Sequence, residues 1–261
     1  MNHPAMAGTR PTVLVFAGAD PSGGAGIAAD ILAIAAQGAH ALPVITALTV
    51  QDNDRVYEVL PVASDVVRRQ ALVLIDKISI DAVKIGIPGS RGNAEMIATL
   101  VRDLRARQPG LPVVLDPVLS SGAGDALARE DARHVLAPLI PLASLIVPNL
   151  PEAQALGGVA GLRDSGCPDV LVTGGHAEGA TVVNRWFGAD GGREWSWPRL
   201  PGQFHGSGCT LASAIAARLA CGDCMDRALG TAQAYCHAAL ADAFSIAAGQ
   251  RIPLRANTHV F

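Results

Sequence analysis

Two glycines, a serine and a cysteine stand together in HGSGCT (His205–Thr210), directly before the strong helix former LASAIAARLA. Gly206 and Gly208 permit sharp backbone turns. A helix starting there would offer unpaired N–H groups and the positive end of its dipole. That combination holds a phosphate well. Cys209 at such a helix mouth is expected to have a lowered pKa, which suits a thiolate or a proton acceptor. A Gly-rich cap beside a buried cysteine is the alternative. A second glycine run, GADPSGGAGIAAD (Gly18–Asp30), is neither a GxGxxG fingerprint nor a Walker A loop. It is either a loop that lets the backbone approach a ligand or a tight turn. Asp30 within it is either solvent-facing or an acceptor for a ligand amine.

Acidic residues suggest a third element of chemistry. Asp116 in LDPV and Glu152 in PNLPEA, which also contains Asn149, lie at the ends of apolar runs. Carboxylates at neighbouring strand ends can orient Mg²⁺ through oxygen or water ligands. The plainer reading is a turn aspartate and a glutamate favoured in a helix first turn. No HExxH and no G-x-S-x-G occurs, so zinc hydrolase and esterase readings have little support. CGDC (Cys221–Cys224), Cys236 and His237 read as ordinary reduced thiols and a helix histidine rather than a zinc or redox site, and Trp186, Trp195 and Trp197 as packing groups.

These residues need strands and helices to bring them together. TVLVFAG, LPVITALTV, IDAVKIG, PVVLDPV, ASLIVPNL and DVLVTGG are apolar, β-rich runs. Helical patterns alternate with them: IAADILAIAAQG, a segment around SDVVRRQALVLI with Ser64 as its cap, and NAEMIATLVRDLRAR. Continuous apolar strands between helices predict a mostly parallel sheet covered on both faces, an α/β/α architecture. ATVVNRWF and REWSWPRL around a Gly-rich turn predict an antiparallel edge hairpin. Two helices follow, one from Cys209 and one through DRALGTAQAYCHAALADAFSIA. In parallel α/β sheets ligands bind at the carboxyl ends of strands. By this assignment Asp20, Gln51, Gly86, Asp116, Asn149, Glu152, Gly174 and Gly175 all fall there.

Composition narrows the possibilities. The 261 residues are half apolar and 16% charged, with a net charge of −3 and no basic cluster beyond VRRQ. This disfavours a nucleic-acid partner. The apolar stretch ILAIAAQGAHALPVITALTV is interrupted by Gln37, Gly38, His40 and Pro43, so no membrane span is expected. MNHPAMAGTRP reads as a loose leader without a signal sequence. Five cysteines, an odd count, then point to a reducing cytoplasm.

Taken in order, AGADPSGGAGIAAD, VITALTVQD, DAVKIG, VVLDPV, PNLPEA, GGH and HGSGCT resemble the hydroxymethylpyrimidine/phosphomethylpyrimidine kinases of thiamine biosynthesis. The resemblance extends from about Val13 to Ala248. It implies one ribokinase-like domain over 1–261, a homodimer, and ATP with Mg²⁺ as cofactors. It also implies transfer of phosphate to the hydroxymethyl group of 4-amino-5-hydroxymethyl-2-methylpyrimidine and then to the monophosphate. Carried over motif by motif, Gly18, Asp30, Gln51 and Ile87 contact the pyrimidine, while Asn149, Thr173 and Gly175 lie on the nucleotide side. Asp116 and Glu152 belong to the metal region. Gly206, Ser207 and Gly208 form an anion hole, with Cys209 in place of the aspartate base of related sugar kinases. The chain departs from the pattern at several points: Ala19 for serine or threonine, QDN for QNT, Ile87 for methionine, Thr173 for the lysine of KGGH, and PGQF before HGSGC. A pyridoxine or pyridoxal kinase of the same superfamily is the nearest alternative, and a non-catalytic pyrimidine-binding relative the next.

Overall fold

Strand β1 (Thr12–Ala19) sets the layering of the molecule. Its side chains alternate with period two. Val13, Val15 and Ala17 enter one core, and Leu14 and Phe16 the other. A strand buried on both faces cannot carry polar residues on either, which is why TVLVFAG is continuously apolar. The computed structural model describes residues 9–119, 132–188 and 191–255.

The remaining elements in chain order are α1 (Gly26–Ala36), β2 (His40–Gln51), β3 (Val56–Pro61), α2 (Ser64–Ile75), β4 (Ala82–Ile85), α3 (Arg91–Arg107) and β5 (Val113–Leu115). Then come α4 (Ala132–Leu136), a short 3₁₀ turn (Ile140–Leu142), β6 (Leu145–Ile146), α5 (Leu150–Ala155), α6 (Gly158–Asp164) and β7 (Asp169–Val172). The chain continues through β8 (Thr181–Gly188), β9 (Gly191–Pro198), α7 (Ser207–Ala220) and α8 (Met225–Ala241). The nine strands of the described residues join one sheet in the order β3-β2-β1-β4-β5-β6-β7-β8-β9. The strands from β2 through β7 in that order are parallel neighbours. β3 and β8 run antiparallel at the two flanks, and β9 pairs antiparallel with β8. Helices α1, α7 and α8 cover one face, and α2, α3 and their successors the other. This three-layer arrangement is the ribokinase-like α/β/α fold expected from the sequence, with its antiparallel edge hairpin.

Three details differ from the sequence reading. The last helix, expected through DAFSIA, ends at Ala241. β3 was not expected. Its residues are half-buried or exposed with no two-residue alternation, and register with β2 from Ala47↔Pro61 to Gln51↔Val56 holds it extended. Ser64 is not a cap: Ala63 occupies that position, and the Ser64 hydroxyl instead bonds Asn93 Oδ1 at 2.6 Å. The fully buried Asn93 amide donates to the carbonyls of Thr46, Val62 and Pro88 and thereby fastens strand β2 and the loops after β3 and β4. Among the described residues no helix is long and apolar enough to cross a membrane.

Candidate functional site

The parallel strands all present their carboxyl ends to one rim of the sheet, and the residues singled out from the sequence lie along it. Helix α7 begins at Ser207, two residues before the Cys209 start expected from the sequence. Gly206 is its N-cap, with φ 77°, and no side chain caps the helix mouth. The tight approach explains the glycine: a Cβ at Gly206 would sit 2.1 Å from Gly24 O and 2.9 Å from Arg255 Nη2. The HGSG turn is thus pressed onto the β1–α1 glycine loop. Gly24 is constrained in return, because a Cβ there would lie 2.2 Å from His205 Cδ2.

Asp20 ties this junction together. Its carboxylate accepts from Ser22 N at 2.8 Å, Ser22 Oγ at 2.9 Å and Ala25 N at 2.7 Å, and His205 Nε2 lies 2.8 Å away. Gln51, at the end of β2, also bonds this carboxylate. Burial pushes Asp20 up, but the hydrogen bonds, His205 first, prevail and hold it near a pKa of about 2. The ionised carboxylate therefore shapes the loop that follows β1 and anchors Gln51, the residue expected to read the pyrimidine.

Beneath the junction is a buried charge cluster. Lys84 on β4 has no exposed surface. Its Nζ donates to Asp30 Oδ1 at 2.9 Å and lies 3.8 Å from Asp116 Oδ2. Ser213 Oγ on α7 donates to the same Asp30 oxygen at 2.7 Å. Burial favours the neutral amine, yet Asp30, Cys209 and Asp116 outweigh it and keep Lys84 above the ordinary lysine value. Asp30 is therefore not solvent-facing, as one reading of its helix allowed. Its Oδ2 and Asp116 Oδ2 are buried with no hydrogen-bond partner among the described residues. Cys209 borders the cluster, and here the expectation of a lowered pKa fails. Burial pushes the thiol up to about 12, Lys84 opposing and Asp116 and Asp30 adding to the rise. The helix dipole is outweighed because removing a thiolate from water beside two carboxylates costs more than one helix end returns.

At the ends of β5 and β6 stand Asp116 and the Asn149–Glu152 pair. Asn149 caps α5, its Oδ1 accepting from Glu152 N at 2.8 Å, while Glu152 Oε2 accepts from Asn149 N at 2.8 Å. This reciprocal capping box is the structural reading of PNLPEA. It leaves Glu152 buried, and burial lifts its carboxyl to about 7, Asp116 contributing to the rise. Burial also raises Asp116, opposed by Lys84. Two buried carboxyls raised by burial, one with a buried oxygen that has no hydrogen-bond partner among the described residues, suit a divalent cation. Mg²⁺ with phosphate and water ligands requires no more than one or two such groups. Among the described residues no cluster of three or more His, Cys, Asp or Glu residues is placed to hold a metal on its own.

The end of β7 completes the rim. Thr173 N donates to Pro148 O at 2.9 Å, and Gly174 N donates to Asn184 Oδ1 at 2.9 Å. Asn184 in turn bonds Gln233 of α8 at 2.9 Å. The Arg199 guanidinium donates to the carbonyls of Gly175, Ala177 and Gly179, fixing the loop after Gly174. Gly18 lies at a register shift of β1 against β2, and Ile87 follows β4, its carbonyl receiving Thr46 Oγ1 at 2.5 Å.

The fold links Asp30, Asp116 and Cys209 through Lys84, and Gly206 to the Gly24 loop through Arg255. Sequence reasoning missed Lys84, Ser213 and Arg255. For Lys84 a signal existed: a lysine inside the four-residue buried strand AVKI needs a counter-charge. Arg255 lies in an irregular tail with no local pattern to mark it.

The family model for phosphomethylpyrimidine kinase matches residues 20–254. A hydroxymethylpyrimidine/phosphomethylpyrimidine kinase of Rhizobium meliloti is 37% identical, the match covering 91% of this chain and 93% of that protein. The enzyme of the same name from Salmonella typhimurium is 36% identical, covering 93% and 96%. Among solved structures, Bacillus subtilis pyridoxal kinase in complex with ADP superposes with TM-score 0.83 at 27% identity, covering 94% of this chain and 97% of that one. A phosphomethylpyrimidine kinase from Clostridium difficile superposes with TM-score 0.72 at 30% identity, covering 87% and 97%.

Proposed function

This chain belongs to the phosphomethylpyrimidine kinase family and is an ATP-dependent kinase, and we propose that its rim phosphorylates the hydroxymethyl group of 4-amino-5-hydroxymethyl-2-methylpyrimidine and, less readily, the resulting monophosphate. The observation that carries the assignment of roles is the uncapped mouth of α7 set against the Lys84–Asp30–Asp116 cluster. Phosphoryl transfer asks a protein mainly for positioning and charge stabilisation. The backbone N–H groups of Ser207 and Gly208 suit the equatorial oxygens of the transferring group. Gly18, Gln51 and Ile87 line the pyrimidine side, Gln51 held in place by Asp20. Asp30, already engaged by Lys84 and Ser213, retains one oxygen for a ligand amine. Asn149, Thr173 and Gly175 serve the nucleotide. Asp116 and Glu152 would hold Mg²⁺, which neutralises phosphate charge when bound.

Cys209 sits where the hydroxyl proton must go. With its thiol pushed up to about 12, it acts as a hydrogen-bonding group that steers the hydroxyl rather than as a standing thiolate. Exposed Leu48, Val50, Tyr57 and Leu60 on the β2–β3 edge suit a homodimer, which light scattering of the intact chain tests. The free state of all five cysteines accords with a cytoplasmic location.

The likeness to pyridoxal kinase makes pyridoxal the decisive competitor. ADP release with Mg·ATP and each alcohol in turn is the test. The pyrimidine is expected to give the highest kcat/KM, and equal or better efficiency with pyridoxal would overturn the substrate assignment.

A further inference from the structure

Arg255 is the largest side chain in the buried core and is 2% exposed. Its hydrogen bonds to the described residues all go to neutral oxygens. Nε donates to Thr210 Oγ1 at 2.9 Å, and Nη2 donates to Gly24 O at 2.6 Å and reaches His205 O and Gly206 O at 3.4 Å each. Nη1 is buried and has no partner among the described residues. Among the described residues no carboxylate forms an ion pair with it. The other buried cation of this region, Lys84, is matched by Asp30 and Asp116.

A guanidinium remains charged in any protein environment. Taking it from water with no opposite charge costs several kcal/mol. Such an expense persists where an anion arrives to complete the arrangement. The place of Arg255 indicates which anion. Its guanidinium lies behind the first turn of α7, against the carbonyls of His205 and Gly206. In a trans peptide the N–H points opposite to the C=O. The N–H groups of Gly206 and Ser207 therefore point away from the guanidinium, toward the open side of the turn. A cation on the carbonyl side polarises each peptide and strengthens its N–H as a donor.

We propose that Arg255 is a positioning residue that charges the mouth of α7, strengthening its backbone donors for the transferring phosphoryl group and joining the β1–α1 loop to the HGSG turn. The proposal rests on the reading of that mouth as the phosphate site. It adds a cation from the C-terminal segment that reaches the reacting group through the backbone.

The test compares Arg255→Lys, which keeps a charge, with Arg255→Gln, which keeps hydrogen bonding alone. Three readouts apply to the full chain: single-turnover rate with Mg·ATP and the pyrimidine alcohol, ADP affinity, and stabilisation by inorganic sulfate without nucleotide. Loss of one oxyanion donor costs about 10²–10³-fold, so an indirect role predicts a single-turnover loss of roughly 10–10²-fold for Arg255→Gln. Arg255→Lys is expected to keep at least about a tenth of the original rate. ADP affinity should change less than threefold in both, and sulfate should raise Tm for the unaltered chain and Arg255→Lys but not for Arg255→Gln. Glutamine performing as well as lysine, sulfate stabilising all three equally, or a chain that folds only with arginine would each overturn the proposal and leave Arg255 a structural staple. Replacing the Ser207 backbone amide by an ester separates the two layers of the argument, since it deletes that N–H while Gly206 keeps its left-handed conformation. An ester enzyme of unaltered rate defeats the helix-mouth reading itself. A slow ester enzyme beside a fast Arg255→Gln enzyme defeats only the role of Arg255.

Discussion

Replacing Lys84 by methionine should destabilise the protein by an amount that depends on pH in a defined way. Lys84 and Asp30 are both fully buried, and Asp116 is nearly so. Methionine matches the length of the lysine stem but leaves Asp30 with the Ser213 hydroxyl as its remaining donor. Breaking a buried pair in this way costs about 3–5 kcal/mol. The same magnitude follows from protonation. An uncompensated buried aspartate takes up a proton, and holding a group of ordinary pKa about 3.9 neutral at pH 7 costs about 4 kcal/mol, at about 1.4 kcal/mol per pH unit. Burial already raises Asp116, and Lys84 is the charge that opposes the rise, so in the variant the folded-state pKa of Asp116 lies further above its unfolded value. Its contribution is then favourable at low pH and is lost as pH rises. The deficit relative to the unaltered protein should be about 4 kcal/mol at pH 7 and shrink by about 1.4 kcal/mol per unit toward pH 4. At pH 7 this corresponds to a Tm lower by about 8–16 °C for a domain of this size. Urea unfolding at pH 5, 6 and 7 measures it. Lys84→Met with Asp30→Asn should recover about half of the loss, since one of the two stranded charges is gone. A deficit under about 1 kcal/mol at pH 7, or one that does not vary between pH 5 and 7, would refute the claim that Lys84 is the counter-charge of this cluster.

Other consequences follow from the rim. Cys209→Ala should slow the chemical step by about 10²–10⁴-fold with pyrimidine affinity little changed; single-turnover rates within threefold of the original would reject a role in proton handling. A rate climbing tenfold per unit between pH 7 and 9 would instead restore the thiolate as base. The first phosphorylation should have the higher kcat/KM, because the monophosphate adds negative charge where Thr173 supplies none, and Thr173→Lys should improve the monophosphate more than the alcohol. Parity of the two substrates, or equal effects of the substitution on both, would remove that explanation. Glu152, lifted from 4.5 to about 7 by burial, contributes stability below pH 4.5 that is lost as pH rises through 7, by about 3 kcal/mol in all. Denaturant midpoints for Glu152→Gln should flatten over that window, and an unchanged slope would contradict the burial argument.

The course of the chain through its layers was legible because local chemistry compels it. Val13 to Ala17 cannot be anything but a strand covered on both faces, and LASAIAARLA cannot avoid a helix. Since parallel strands share one direction, placing Asp116, Asn149 and Gly174 after their strands already put them on one rim. PNLPEA carried its own capping box in the spacing of Asn149 and Glu152. β3 was less legible, because its half-exposed residues become a strand only when β2 supplies the ladder. The charges lay furthest from what sequence determines. A pKa depends on everything within a few ångströms from any part of the chain. Cys209 at a helix mouth promised a lowered value, but partial burial beside Asp30 from α1 and Asp116 just after β5 reverses the balance. Arg255 is separated from Gly24 by most of the chain, yet one hydrogen bond joins them. Helical and strand periods report which face of an element is apolar. Which buried cation finds a carboxylate, and which is left to face an incoming anion, is decided only when the layers close.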